Sequence, residues 1–81
     1  MEFIFTPTAE EHLERLPKEA QQRIAAKMRF YAAQPDPLQF AEHLTGVDSY
    51  RFRIGDYRVI FTHVHNAIWI LAIKRRDKAY R

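Results

Sequence analysis

Three arginines, Arg51, Arg53 and Arg58, flank a Gly55-Asp56 pair in the stretch Tyr50-Arg-Phe-Arg-Ile-Gly-Asp-Tyr-Arg-Val-Ile-Phe61. Apolar and basic residues alternate strictly before the glycine, as in a half-buried strand, and Gly-Asp is a two-residue hairpin signal. Residues equidistant from the turn then pair and share a face. Phe52 meets Val59, Ile54 meets Tyr57 and Tyr50 meets Phe61 on an apolar side; Arg53 meets Arg58, with Arg51 diagonal to both, on a basic side. Like charges directly opposite one another are destabilising, a cost more readily tolerated where an anion visits. Phosphate is the natural visitor, because the planar guanidinium fork matches its oxygens and binds them bidentately. Taken singly, each arginine is an ordinary solvated strand residue, and a slip of one residue in the register would bury all three.

The last eight residues, Lys74-Arg-Arg-Asp-Lys-Ala-Tyr-Arg81, bring further cations. Lys74, Arg75, Arg76, Lys78 and Arg81 form a basic patch around one aromatic, Tyr80, which could stack on a base or supply a phenol. The plainer reading is a frayed basic terminus. Other signals are weaker. His63-Val-His65 has the spacing that puts two imidazoles on one strand face, but no third ligand is evident and His65 falls near a turn, so no metal site is expected. His12 and His43 read as surface residues and Trp69 as core. Glu10, Glu11 and Glu14 suit the start of a helix, where negative charge is favoured. With two glycines in the chain, a glycine-rich phosphate loop is unavailable.

These residues must be held by a small frame. The chain has 81 residues, 47% of them apolar and 14% aromatic, with no cysteine, a net charge of +3 and a sequence pI near 9.5. That length fits one domain over 1–81 with a core only just large enough to stand alone. Without cysteine there is no disulfide, thiol nucleophile or cysteine-held zinc. The longest apolar run, Ala67 to Ile73, is too short to span a bilayer, and the first residues do not read as a signal peptide, so a soluble cytoplasmic protein is expected. The charge is divided: residues 1–48 carry a net of −3 and residues 49–81 a net of +6, which points to a polyanionic partner.

Glu2 to Thr6 reads as a strand ended by Pro7. Thr8 and Glu11 have capping-box spacing for a helix to about Leu16, with Leu13 and Leu16 on its buried side. Pro17 suits the first turn of a second helix whose Ala20, Ile24, Met28 and Tyr31 share one face, ended by Gln34-Pro-Asp-Pro37. Residues 38–48 connect to the hairpin, and a turn near His65-Asn66 leads into Ala67-Ile-Trp-Ile-Leu-Ala-Ile73, apolar on both faces as in a central strand covered on both sides. The fold class is α+β, in the order strand, helix, helix, strand, strand, strand, with the helical hairpin packed on a small antiparallel sheet.

The hairpin motif, the apolar strand after it and the Lys74-to-Arg81 tail resemble the second half of the RelE/ParE superfamily of bacterial type II toxins. The first strand, the helical hairpin and His43-Leu-Thr-Gly46, which stands where that family often has a basic-Leu-basic-Gly element, extend the resemblance over nearly the whole chain. It implies the RelE/ParE-like fold and a cognate antitoxin as partner. In the RelE-like branch it implies a toxin that enters the ribosome and cuts mRNA by attack of a ribose 2′-hydroxyl on the adjacent phosphate, with no metal or other cofactor.

By the same resemblance, Arg58 matches the phosphate-stabilising arginine after the hairpin turn, Tyr80 the near-terminal tyrosine that stacks on or helps activate the substrate, and Lys74 or Arg75 the basic or histidine position upstream of it. Arg51 and Arg53 stand where RelE itself has lysines; an arginine does not readily surrender a proton, so here they supply charge only. The base then falls to Tyr80, Lys74 or a histidine. Arg76, Lys78 and Arg81 would bind RNA, while Thr45 occupies a position where some members carry another arginine. The alternatives are a ParE-like inhibitor of DNA gyrase without nuclease activity, or a degenerate basic module that binds RNA or protein.

Overall fold

A computed structural model of the protein describes residues 1–44 and 48–76. Five strands make one sheet in the order β1-β5-β4-β3-β2: β1 is Glu2–Phe5, β2 Glu42–His43, β3 Tyr50–Ile54, β4 Tyr57–Val64 and β5 Ala67–Arg75. Helix α1 (Pro7–Glu14) packs on β5 and β1, and α2 (Lys18–Ala32) packs on β3. This is the expected α+β order with a short additional strand, β2, formed within the connector. The sheet is mixed rather than antiparallel, since β1 runs parallel to β5 with Phe3 beside Ile68 and Phe5 beside Ile70. Parallel neighbours need a long crossover, and everything between the first and last strands serves as one.

Local chemistry explains where α1 begins. The Thr6 hydroxyl accepts from the Ala9 N–H at 3.2 Å and donates to the Ile70 carbonyl at 2.8 Å, so one side chain caps the helix and ties it to β5. Thr6 therefore replaces Thr8 as the cap. Pro7 becomes the first helical residue, where a missing N–H costs nothing. Pro17 is the N-cap of α2. The Gln21 amide donates to the carbonyls of Glu14 and Leu16 at 3.1 and 2.9 Å, closing the end of α1 against the start of α2.

The core lies between the helices and one face of the sheet. Ile24, Met28 and Tyr31 of α2 meet Phe52, Ile54, Val59 and Phe61 of the hairpin, with Ile68, Ile70 and Ile73 of β5. Tyr31 stacks on Phe52 at 4.3 Å between ring centroids, and Phe52 on Phe61 at 4.5 Å. Each such burial stabilises by about 1.5–3 kcal/mol. His12, expected at the surface, is half-buried: its Nδ1 accepts from the Ile73 N–H at 3.1 Å, which requires that nitrogen to be unprotonated. Trp69 also departs from expectation. It pairs with Ile4 and Thr62 on the side away from the helices and is 39% exposed. β5 is an interior strand rather than an edge, as expected, lying between β1 and β4, but the helices cover only one of its faces.

Strand pairing follows the two turns. His65 and Asn66 both have positive φ, as a type I′ turn requires, whereas at Gly55-Asp56 only Gly55 does, with φ of 58°. A Cβ at Gly55 would sit 3.0 Å from Nη1 of Arg23, so both backbone conformation and space favour glycine there. Gly55→Ala is expected to cost about 1 kcal/mol. In thermal unfolding that corresponds to a midpoint roughly 4–8 °C lower, and an unchanged midpoint would refute the turn geometry.

Candidate anion-binding site

The hairpin register is the one read from the sequence: Tyr50 pairs with Phe61, Phe52 with Val59, Arg53 with Arg58 and Ile54 with Tyr57. Phe52, Ile54 and Val59 point into the core, so the arginines between them lie on the face that the helices leave open. β5 extends the row. Lys74 pairs with Arg58, giving Arg53, Arg58 and Lys74 side by side across three strands, with Arg51 beside Ile60 in the adjacent row. Arg58, in the middle, keeps 7% of its surface exposed; Arg51 is half-buried, and Arg53 and Lys74 are exposed.

A carboxylate lies among these cations. Glu42 of β2 pairs with Arg51 on the same face. Its Oε1 accepts from Arg51 Nε at 2.7 Å and lies 3.1 Å from Arg53 Nε. The hydrogen bond from Arg51 is the largest cause holding the Glu42 carboxyl below its ordinary range; desolvation opposes it, and the charges of Arg53, Arg51 and Arg58 add to it. The like-charge cost expected for the arginine cluster is therefore offset partly by the protein itself. No sequence signal exposed this, because two residues are too few to show a strand period and the connector gave no register to β3.

The remaining sequence candidates separate. Arg75 pairs with Tyr57 and so lies on the opposite face from Lys74. Arg76 follows the strand, its N–H donating to the Asp56 carbonyl at 2.7 Å. Lys78, Tyr80 and Arg81 lie outside the described residues, as do Thr45 and Gly46 of the basic-Leu-basic-Gly element. His43 is exposed on β2 with its ring 4.8 Å from that of Tyr50, on the side of the sheet away from Glu42. His63 pairs with Ile68 on the helix side and His65 sits in the turn, so they do not form a joint metal face. No group of three or more potential metal-ligating side chains occurs among the described residues.

The other end of the open face is apolar, built from Ile4, Trp69 and Val64, with Val64 46% exposed. The basic end can bind oxyanions bidentately and stabilise negative charge. Of its cations only Lys74 is also suited to giving up a proton. No helix among the described residues is long and apolar enough to cross a membrane.

Comparison with known proteins bears on the fold. A family model described as the ParE toxin of a type II toxin-antitoxin system, parDE, matches residues 3–80. Among solved structures, the archaeal RelE-RelB complex from Pyrococcus horikoshii is similar at 30% identity, covering 93% of each chain with a TM-score of 0.71. The toxin-antitoxin complex RelBE2 from Mycobacterium tuberculosis is similar at 24% identity with a TM-score of 0.77, covering 93% of this chain and 90% of that one. The RelB-RelE antitoxin-toxin complex from Methanococcus jannaschii is similar at 20% identity with a TM-score of 0.76, covering 95% and 94%. A search of curated proteins finds no significant match.

The lowered Glu42 pKa sets the sign of a pH effect. The ionised carboxylate contributes its stabilisation above the ordinary glutamate range, and that contribution is lost as pH falls through the lowered folded-state value. In a carbon-detected NMR titration, Arg51→Ala is expected to move the Glu42 midpoint upward. A midpoint unmoved by that substitution would show that the pair does not form in solution.

Proposed function

Since the chain belongs to the RelE/ParE superfamily of type II toxins, we propose that it is a RelE-like, ribosome-dependent mRNA endonuclease that inhibits translation in the cytoplasm. The observation that carries this reading is the row Arg53, Arg58, Lys74 on the open face, with Arg51 beside it. In the proposed reaction a ribose 2′-oxygen attacks the adjacent phosphorus and the bond to the 5′-oxygen breaks. The products are a 2′,3′-cyclic phosphate and a free 5′-hydroxyl. One proton leaves the 2′-hydroxyl for a base and another is delivered to the departing 5′-oxygen by an acid.

Arg58 supports the charge that builds on the phosphate, and Arg51 and Arg53 hold the backbone and add field without moving protons. Proton transfer is assigned to Tyr80 and Lys74; Lys74 rather than Arg75 shares the face with Arg58. Arg75, Arg76, Lys78 and Arg81 supply attraction for the RNA strand. In a translating extract, the wild type is expected to cut message within the reading frame. Arg58→Ala should slow cleavage roughly 10²–10³-fold, the scale of losing one donor to the developing charge. Tyr80→Phe should also reduce it, with melting curves confirming that both variants fold. Intact message with wild type would sink the nuclease reading.

The family model favours a second reading, a ParE-like inhibitor of DNA gyrase. That activity needs the fold and the basic surface but no cleavage machinery. DNA double-strand breaks and SOS induction on expression, with message intact and Tyr80→Phe as toxic as wild type, would select it.

Either reading includes an antitoxin, and the open face suits one: acidic residues for the arginine end and apolar residues for the Ile4, Trp69 and Val64 end. The product of a neighbouring reading frame is expected to co-purify with the protein. Trp69→Glu should weaken that complex at least about tenfold by placing a charge in the apolar contact. Equal affinity would remove Trp69 from the interface.

A further inference from the structure

The arginine end of the open face is already occupied by an anion that belongs to the chain. On the reading of this face as a phosphate site, we propose that Glu42 is a built-in competitor for it. Its carboxylate holds the Arg51 and Arg53 guanidinium groups in the free protein and is displaced when a phosphodiester strand binds.

The geometry fits a stand-in for phosphate. One oxygen, Glu42 Oε1, accepts a hydrogen bond from Arg51 Nε at 2.7 Å and makes an ion pair with Arg53 Nε at 3.1 Å. Arg51 and Arg53 are two apart on one strand, so their side chains leave the same face roughly 6.5–7 Å apart, a span that a single oxyanion bridges. Carboxylate and phosphate oxygens use the same N–H donors, so the two ligands exclude each other. Arg58 also contributes to holding Glu42 ionised, which places the carboxylate within the field of the row assigned to the phosphate.

The hold is of a kind that yields. The side chains of Glu42 and Arg53 are 49% and 47% exposed, and pairs this open contribute little in water. β2 is an edge strand of two residues, bound on one side only through Glu42 to Arg51 and His43 to Tyr50. Rotation of the Glu42 side chain disturbs no core residue. A monovalent anion would offer the arginines little more than Glu42 already does. A strand carrying successive phosphates engages Arg58 and Lys74 at the same time and wins. Glu42 thus raises the threshold for occupancy and selects polyanions that reach the whole row.

The test measures binding of a short fluorescein-labelled single-stranded RNA to the full chain by anisotropy. Glu42→Gln is expected to tighten binding roughly two- to fivefold, the range given by the strength of an exposed ion pair. Glu14→Gln, which removes the same charge from an exposed position on α1, should give a smaller gain. The Glu42→Gln gain should vanish when Arg51 and Arg53 are both alanine. Binding unchanged or weakened by Glu42→Gln, a gain matched by Glu14→Gln, or one that survives loss of the arginines would overturn the proposal. If no variant binds RNA, the nucleic-acid reading fails, and titration with inorganic pyrophosphate decides the competitor role separately. The Arg51 and Arg53 Nε–H signals should then shift at lower pyrophosphate concentration in Glu42→Gln than in wild type, and coincident titrations would overturn it.

Discussion

The two faces of the sheet depend on one constraint, the register of the β3-β4 hairpin. A strand turns successive side chains to opposite faces, so the pairing that sets Arg53 beside Arg58 also sets Phe52 beside Val59. A slip of one residue would expose Phe52, Val59 and Phe61, all fully buried, and carry guanidinium groups into the core. Each of those losses is unfavourable by itself. The basic row therefore cannot be lost while the core is kept. Gly55, with a backbone conformation that other residues adopt at a cost, fixes the turn from which the register is counted.

A second device corrects the parity on β5. Ile68 and Ile70 face the helices, and uninterrupted alternation would send Ala72 and Lys74 the same way. The register instead shifts between Ile60 and Phe61, which pair with Ala72 and Ile70, leaving Leu71 as the extra residue of a bulge. Ile73 therefore turns inward and Lys74 outward, beside Arg58. His12 accepts from the Ile73 N–H directly after this irregularity, so α1 is tied to the strand where its pattern changes. The bulge decides that Lys74, and not Arg75, joins the arginines.

This marks how far the sequence was legible. Before Gly55 the alternation is strict and the turn is short, and the pairing read from residues is the pairing observed. The Ala67 to Ile73 run is apolar at every position, so it contains no polar mark by which a bulge or an uncovered face could be found, and Trp69 could be read as core. Thr6 and Thr8 both offer a hydroxyl near the start of α1; what distinguishes Thr6 is its bond to Ile70, a contact across the fold that local spacing does not encode. Glu42 was hidden for the same reason. Its importance comes from pairing with Arg51, and a two-residue edge strand has no periodicity of its own.

The open face joins two chemistries that a nuclease reading and an antitoxin reading use differently. Along the strands it runs from Arg53, Arg58 and Lys74 through Ile60 and Ala72 to Trp69 and Ile4. On the nuclease reading, an RNA strand would gain chiefly from the cationic end, where its phosphates would replace the Glu42 carboxylate. A neutralising protein gains from both ends, since it can bury the exposed indole while its own acidic residues satisfy the arginines. On those two readings, a protein that covers the whole face occupies the ground proposed for the RNA, so inhibition would follow from overlap without a change of shape. The exposed Trp69 and Val64 give the open face an apolar surface beside the basic one, and on the antitoxin reading that surface adds contact area for the protein partner.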